Sequence, residues 1–323
     1  MVKEIIRFLT PFLVIPAALG AGYLLLTFCQ QADQAHARAT KPTPAAWTDE
    51  HPSSMPASRP SMAYPWAKSY DPTATMAARI APPRGYERVD VDPEGFAHWL
   101  RGLPLKPAGT PVKFYNGQDK PNQAGHLAVV DIDVGDKDQQ HAANAIIRLR
   151  AEYFYSRQKF GKIHFNFTNG TSVEFSKWAE GIQPRIEGTT LTFTPARRHA
   201  PKDYSYPSLR SYLDVIFPHA SAASLSQEMA PVGAVKLMNV GNVFIQPGGG
   251  GHAVLVVDIA ENKRNGAKCF LLAQADSPAQ DIHILRNTRP ADQGIWPWYD
   301  MNFGPQLATP DCKFSRSDLK RFK

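Results

Sequence analysis

The amino-acid sequence predicts an α+β fold in which a mostly antiparallel sheet packs against one long helix. Two all-apolar stretches, at residues 253–257 and 269–273, are separated by a polar segment that contains Asn265 and Gly266. Glycines precede the first stretch, which favours a buried strand, and an Asn-Gly pair between two such strands is typical of a hairpin. At residues 136–158, by contrast, apolar side chains recur at helical spacing. Helices mixed with antiparallel strands indicate the α+β class.

The first candidate functional residue is His252, at the start of the central predicted strand. Strand alternation places it on the same face as Asp258. If the hairpin closes about its polar turn, His252 lies opposite Gln274 or Ala275, with Asp276 close by. In many nucleophilic sites a histidine acts as the base, and an amide or a carboxylate that faces it orients its ring. The alternative is a structural histidine that closes the strand beneath a glycine turn.

The long helix predicted at residues 136–158 supplies a second candidate, His141, near its first turn and beside its buried stripe. Arg148 and Glu152 are spaced as an i, i+4 ion pair, and Arg150 lies on another face of the helix. We expect these charged side chains to lie on a solvent-exposed face of the helix. The sequence favours this more for Arg148 than for Arg150.

Shorter elements complete the predicted domain. Two alternating stretches joined by Asn169 and Gly170 indicate a hairpin at residues 162–175. Other strands are predicted at 112–115, 127–134, 188–193 and 281–285, and other helices at 93–101, 206–217, 220–229 and 315–322. Residues 197–199 are expected to form a surface loop, and residues 296–299 an aromatic loop that serves as a core lid or as a ligand platform.

The amino-terminal residues 1–30 are predicted to be a signal anchor or a signal peptide. Their apolar run, residues 8–28, has about the length of a membrane-spanning helix. Lys3 and Arg7 precede it, so this end is expected in the cytoplasm and the rest of the chain outside. A small-residue motif at residues 35–37 offers a cleavage site, which leaves anchor and cleaved signal both open.

Beyond this segment, residues 31–83 are rich in Pro, Ala and Ser and predict a disordered linker, followed by a single α+β domain at residues 84–323. The formal net charge is +7. A basic surface outside the cytoplasm suits anionic envelope polymers or lipid headgroups, but the scattered charges favour a merely soluble surface. No basic run interleaved with aromatics points to nucleic acid. No motif calls for a cofactor, a metal site is expected only if His141, His252 and Asp276 converge, and a disulfide between Cys269 and Cys312 is left open.

Several blocks of sequence resemble the bacterial domain-of-unknown-function 4846 family over about residues 79–322. They include LRGLPLK at 100–106, HFNFT at 164–168, GHAVLVVD at 251–258 and LLAQ at 271–274. The resemblance carries no activity with it. In that family the long helix often begins Cys-Ala-Asp, whereas this chain has His141 followed by Ala-Ala-Asn. Asn242 likewise stands where an aspartate is usual.

A looser resemblance is to papain-like folds of the NlpC/P60 or transglutaminase-like type. These have a cysteine at a helix N-terminus, a strand that begins with Gly-His, and an amide or acid on the returning strand. The helix dipole and the adjacent imidazole activate the thiol. Here His141 occupies the nucleophile position, and Cys269 and Cys312 lie in other elements, so whether the chain is an enzyme stays open.

The amino-terminal segment predicts an exported envelope protein, anchored to the inner membrane facing the periplasm or secreted to the periplasm after signal cleavage. Its expected role is that of a degenerate, non-catalytic member that binds an envelope peptide or glycan, or supports an envelope assembly with a protein partner. The alternative is an active amide hydrolase or transferase acting on peptidoglycan peptides or on protein. The candidate cleft is formed by His252, Gln274 and His141, with the ligand-contacting residues Arg150, Asn166, Trp178, Asp276 and Gln280.

Overall fold

An antiparallel sheet of nine strands carries the domain, and the computed structural model describes it over residues 64–187, 190–195, 201–248 and 250–323. Within these residues the strands are β1 Tyr86–Arg88, β2 His126–Val129, β3 His164–Asn166, β4 Ser172–Glu174, β5 Pro184–Glu187, β6 Thr190–Phe193, β7 Ala230–Pro231, β8 Val243–Gln246, β9 His252–Asn262, β10 Lys268–Gln274, β11 His283–Leu285, β12 Tyr299–Asp300, β13 Gln306–Ala308, β14 Lys313–Ser315 and β15 Leu319–Arg321.

The α-helices of the described residues are α1 Met76–Arg79, α2 Phe96–Arg101, α3 Ala142–Ser156, α4 Phe175–Ala179, α5 Tyr206–Ile216 and α6 Ala222–Glu228. Short 3-10 turns lie at Pro72–Ala74, Phe160–Lys162, Val235–Leu237, Pro290–Ile295 and Arg316–Asp318. The main sheet has the order β2-β11-β10-β9-β8-β15-β7, and β1 and β12 pair at its sides with β9 and β10. Helices and an antiparallel sheet confirm the predicted α+β class.

The central hairpin, β9 and β10, forms as predicted but contains a bulge. Leu271 pairs with Asp258, whereas Leu272 pairs with Val256, so that Val257 has no partner of its own. An extra residue reverses the alternation of the strand. Simple alternation predicted that Asp258 shares the face of His252. Because of the bulge, Asp258 lies on the other face.

The two faces of the sheet carry two separate cores. On one face, Ala253, Leu255 and Val257 of β9 belong to the core cluster that includes α3. On the other, Val254 and Val256 pack in a second cluster against loops and the carboxyl-terminal strands. Burial on both faces explains why the sequence of this strand is apolar without interruption.

Two arginines hold the bulged Asp258 on the α3 side. The Nε atoms of Arg88 and Arg101 lie 2.6 Å and 2.7 Å from its two carboxylate oxygens. Asp258 is fully buried, so both ion pairs compensate a charge that would otherwise be costly to desolvate. This pairing joins β1 and α2 to the middle of the sheet.

Helix α3 begins at Ala142, six residues later than the predicted start at residue 136. Residues 136–141 form bends and a turn at 138–139 instead, because Asp138 is engaged by side-chain and backbone donors from outside the helix. His141 becomes the N-cap, with extended backbone angles of φ −76° and ψ −175°. Helices α5 and α6 form within one or two residues of the prediction.

The predicted helix at residues 315–322 is wrong. This segment forms β14, a 3-10 turn and then β15, which inserts between β8 and β7. Leu319 pairs with Phe244 and both side chains are fully buried. The backbone donors and acceptors of β8 would lie unpaired without this strand, and their pairing outweighs the local helical periodicity.

The hairpin predicted around Asn169 and Gly170 is confirmed as β3 and β4, with Gly170 at φ 85° in the turn. A second small hairpin joins β5 to β6, of which the sequence predicted only the latter strand. Residues 112–115, predicted as a strand, make only isolated bridges at Lys113 and Phe114.

The described part of the predicted linker packs on the domain. Tyr64 is buried, and its hydroxyl donates to the Trp99 carbonyl at 2.7 Å. The indole of Trp66 donates to the Asp131 carbonyl at 2.6 Å, and Met76 is fully buried. Residues 64–83 are therefore part of the same folded unit as the rest of the domain.

The predicted signal segment, the linker up to residue 63 and the loop at 197–199 lie outside the described residues. Within the described ranges, no helix combines the length and the apolar character needed to span a membrane.

Candidate functional site

His252 stands at the first position of β9, directly after a glycine turn. Gly250 and Gly251 have φ angles of 93° and 75°, a conformation that side chains disfavour. A Cβ atom on Gly251 would lie 2.8 Å from the Cβ of Ala222, so the close approach itself also requires glycine. The turn thus holds the start of β9 against the start of α6.

Asp276 is the acidic partner of His252. Continuing the register beyond the Ala273–Leu255 pair puts Asp276 opposite His252. The His252 Nδ1 and the Asp276 Oδ1 are 3.8 Å apart, which is within ion-pair range but longer than a hydrogen bond. Both side chains are partly exposed.

Gln274, expected to orient His252, has other partners. Its Nε2 donates to the Asp311 Oδ2 at 2.5 Å, and across the sheet it pairs with His283 of β11. The predicted register assumed an unbulged hairpin centred on its turn. The observed register differs by one to two residues, which moves Gln274 away from the position opposite His252.

His141 is tied to its own aspartate at the start of α3. Its Nε2 lies 2.9 Å from the Asp138 Oδ1, and the same oxygen accepts the backbone N–H of Ala279 at 2.7 Å. The Ala279 hydrogen bond lowers the pKa of Asp138 against the opposing effect of burial, and the hydrogen bond to His141 lowers it further. This carboxylate therefore links the start of α3 to the segment that follows β10.

His141 and His252 belong to different sides of β9. Helix α3 packs on the face formed by Ala253, Leu255 and Val257, whereas alternation gives His252 the face of Val254. The papain-like resemblance also predicts that the two imidazoles come within roughly 8 Å of each other, and this prediction has no support from the strand geometry.

A cleft of about 360 Å³ opens beside His141, and we call it the α3 cleft. It is lined by residues from the start of α3, the start of α6 and the glycine turn, among them Gln139, His141, Asn144, Ser221, Gly250 and Gly251. Polar side chains and the helix start give it donors and acceptors for a polar ligand. His252 does not line it.

The residues predicted to contact a ligand are spread over the domain. Arg150 and Asn166 come together in a second cleft of about 380 Å³, on the outer part of α3 and the β3–β4 hairpin. Trp178 is a buried core residue, with its ring 5.9 Å from that of Tyr212. Gln280 is buried, and its Nε2 donates to the Pro278 carbonyl at 3.2 Å.

Both cysteines of the described residues are free thiols. Burial raises the pKa of Cys269 to about 12. Burial also raises the pKa of Cys312, whose Sγ lies 3.7 Å from the Oε1 of Gln246. A thiol with a raised pKa is mostly protonated at neutral pH and is a poor nucleophile.

Among the residues that the structure describes, no group of three or more histidine, cysteine, aspartate or glutamate side chains is placed to hold a metal ion. His141 and His252 also keep separate aspartate partners.

Sequence reasoning missed a buried charge network on α3. Arg148, expected on a solvated face, is fully buried, and its Nε lies 2.6 Å from the Glu152 Oε1. Tyr206 donates to the same Glu152 oxygen at 2.8 Å, and the Arg148 Nη2 reaches the Asp133 Oδ1 at 3.1 Å. The i, i+4 spacing of the pair was visible in the sequence, but nothing local indicated that α5 covers it.

Comparison with known proteins yields one match. No curated protein and no solved structure matches the chain. The family described as domain of unknown function (4846) matches residues 76–321, which is most of the described domain and includes the α3 cleft and both ends of the central hairpin. This chain therefore belongs to the domain-of-unknown-function 4846 family.

Proposed function

We propose that this chain is an exported, non-catalytic binding domain of the cell envelope, whose ligand is an envelope peptide or glycan held in the α3 cleft. The apolar run at residues 8–28, with Lys3 and Arg7 before it, supports export. In the proposal the domain faces the periplasm, either tethered to the inner membrane or released from it. Amino-terminal sequencing of the mature protein distinguishes the two, since Arg38 as first residue means cleavage.

The observation that carries the non-catalytic role is the placement of the candidate catalytic groups. A nucleophilic site needs nucleophile, base and orienting group in mutual contact. Here the N-cap of α3 carries the imidazole of His141 in place of a thiol, bonded to Asp138. Alternation along β9 assigns His252 to the face of Val254, away from α3, and its acidic partner is Asp276.

A degenerate papain-like core would account for the helix start beside a strand that begins with Gly-His. The placement of His141 and His252 on different sides of β9 counts against that origin. The binding role does not depend on it, because it rests on the α3 cleft and its polar lining.

The test uses insoluble peptidoglycan and the purified full chain. We expect co-sedimentation, reduced at least tenfold by Gln139→Trp, which places a large side chain at the cleft. The matched control is Gln183→Trp, because Gln183 is exposed and does not line the cleft. Absence of co-sedimentation, or equal binding by Gln139→Trp, contradicts the proposal.

The second candidate function, an active amide hydrolase, draws on one observation. Cys312 contacts Gln246, which is the cross-strand partner of His252, so a thiol, an imidazole and the Asp276 carboxylate lie at one end of the sheet. Mass spectrometry of the same peptidoglycan sample decides between the two. Release of peptide fragments that is lost in Cys312→Ser establishes the hydrolase and refutes the non-catalytic role.

A further inference from the structure

The second cleft, lined by Arg150, Phe154, His164, Asn166, Glu228 and Phe322 among others, has a volume of about 380 Å³, and we call it the Arg150 cleft. It lies between the outer side of α3, the β3–β4 hairpin, the end of α6 and the carboxyl-terminal residues. None of the residues of the α3 cleft lines it. The two clefts are therefore separate sites.

The guanidinium of Arg150 sits in a cage of aromatic rings. Its central carbon is 4.3 Å from the ring centroid of Phe154, 4.6 Å from that of Phe322 and 4.9 Å from that of Phe96. Cation–π contacts of this kind hold the cation in place through the faces of the rings.

No hydrogen bond or ion pair to Arg150 occurs among the residues that the structure describes. Burial lowers the pKa of Arg150 to about 10, against a smaller opposing effect of Tyr153. The residue is only partly buried, so the ring faces cover the guanidinium plane while its N–H edge stays open to the solvent of the cleft. An arginine that is held by ring faces and keeps its N–H edge open to a cleft is positioned to bind an oxyanion there.

The planar guanidinium fork suits oxyanions, and an apolar lining beside it favours an organic carboxylate among them. Two parallel N–H donors of arginine bind the two oxygens of a carboxylate in a bidentate pair. The rings of Phe154, Phe165 and Phe322 and the side chain of Leu225 give the cleft an apolar wall beside that position. A ligand that fits has a carboxylate attached to an apolar body.

The lining of the cleft also includes an acceptor. Glu228 lines it, and one of its oxygens accepts the backbone N–H of Asn166 at 2.7 Å. Burial raises the pKa of this carboxyl. Its second oxygen is available to a donor such as the amide N–H of an acylated amino acid.

We propose that the Arg150 cleft binds the carboxylate of an acylated amino acid with an apolar side chain, either as a free small molecule or as the carboxyl terminus of a peptide. The inference goes beyond the binding role of the α3 cleft and stands independently of it. The two sources share the same chemistry at the arginine and differ only in what extends out of the cleft.

Isothermal titration calorimetry of the full chain tests the proposal with two matched pairs of probes. The first pair is N-acetylphenylalanine and its carboxamide, and the second is acetyl-Gly-Gly-Phe with a free carboxylate and the same peptide with a terminal amide. We expect each acid that binds to do so at least tenfold more tightly than its amide. Binding of the small acid alone assigns a free metabolite, whereas tighter binding of the peptide acid assigns a peptide terminus.

Variants of Arg150 make the test specific. Arg150→Met keeps the apolar stem without the charge and should weaken binding of the acid at least tenfold. Arg150→Lys keeps the charge without the planar fork and should lose most of the preference for acid over amide. If Arg150→Met does not fold, this second variant still tests the proposal. Arg185→Met, on exposed β5 and outside the cleft, should bind as the unaltered chain does. Failure of both acids to bind, equal binding of acid and amide, or unchanged binding by Arg150→Met overturns the proposal.

Discussion

Arg148 and Arg150 project from α3 two positions apart and meet opposite surroundings. Arg148 is fully buried among Glu152, Asp133 and Tyr206, which occupy its donors. Arg150 is enclosed by aromatic rings and has a cleft where acceptors would be expected. The fold therefore supplies hydrogen-bond acceptors to Arg148 but not to Arg150. For this reason Arg148 is expected to stabilise the fold, whereas Arg150 is available to bind a ligand.

The largest effect on the free energy of unfolding is expected when the charge of Arg148 is removed. Arg148→Met should lower the free energy of unfolding by about 3–5 kcal/mol, because the buried carboxylate of Glu152 loses its compensation. Urea unfolding followed by circular dichroism measures the loss. The double variant Arg148→Met with Glu152→Leu should recover most of it, since no buried charge is then left alone. A loss below about 1 kcal/mol in the single variant contradicts the structural role.

The buried imidazole of His283 differs from both arginines, because it avoids the cost of burying a charge by staying neutral. His283 is fully buried, its Nδ1 lies 2.9 Å from the Asp281 carbonyl, and burial lowers its pKa to about 4. Between about pH 6.5 and 4 the unfolded chain binds a proton that the folded chain does not. Stability therefore falls as the pH falls through this window, by about 3 kcal/mol at most.

Urea unfolding at a series of pH values measures this slope, and His283→Gln should flatten it. His164→Gln is the matched control, since His164 is exposed on β3, and it should leave the slope in place. A slope that His283→Gln does not change would mean that other groups cause the acid destabilisation.

The smallest effect on stability is expected at Arg150. Arg150→Met removes the cation–π contacts, worth roughly 0.5–2 kcal/mol, but also removes the cost of partly burying a charge. The free energy of unfolding should change by no more than about 1 kcal/mol, or rise. The same urea experiment measures it beside Arg148→Met. A loss as large as that of Arg148→Met would show that the aromatic cage needs the cation, and would make Arg150 a structural residue.

The local pattern of the chain was enough to predict several elements. The central hairpin, the hairpin at Asn169 and Gly170, and helices α5 and α6 form where apolar periodicity and turn residues place them. These signals are contained within a few neighbouring residues, so no distant part of the chain has to be known. The α+β class follows from the same signals.

Tertiary contacts decided what local pattern predicted wrongly. The carboxyl-terminal segment has helical periodicity but becomes β15, because β8 offers it an unpaired edge. The bulge at Val257, which turns Asp258 toward Arg88 and Arg101, depends on partners more than a hundred residues earlier in the chain. Neither partner is visible within the segment itself.

For the candidate sites, too, the sequence determined some features and the tertiary structure determined others. By itself, the sequence determined the α+β class, the residue types available for chemistry, and the Gly-Gly-His start of β9, whose glycines a close approach to Ala222 requires. Only the tertiary structure decided that His252 meets Asp276 instead of Gln274, that α3 packs on the face of Ala253 and Leu255, and that Arg148 is paired while Arg150 is not. The physical reason is that strand register, burial and ion pairing are set by which distant segments cover each face, whereas periodicity and turn chemistry are set by near neighbours.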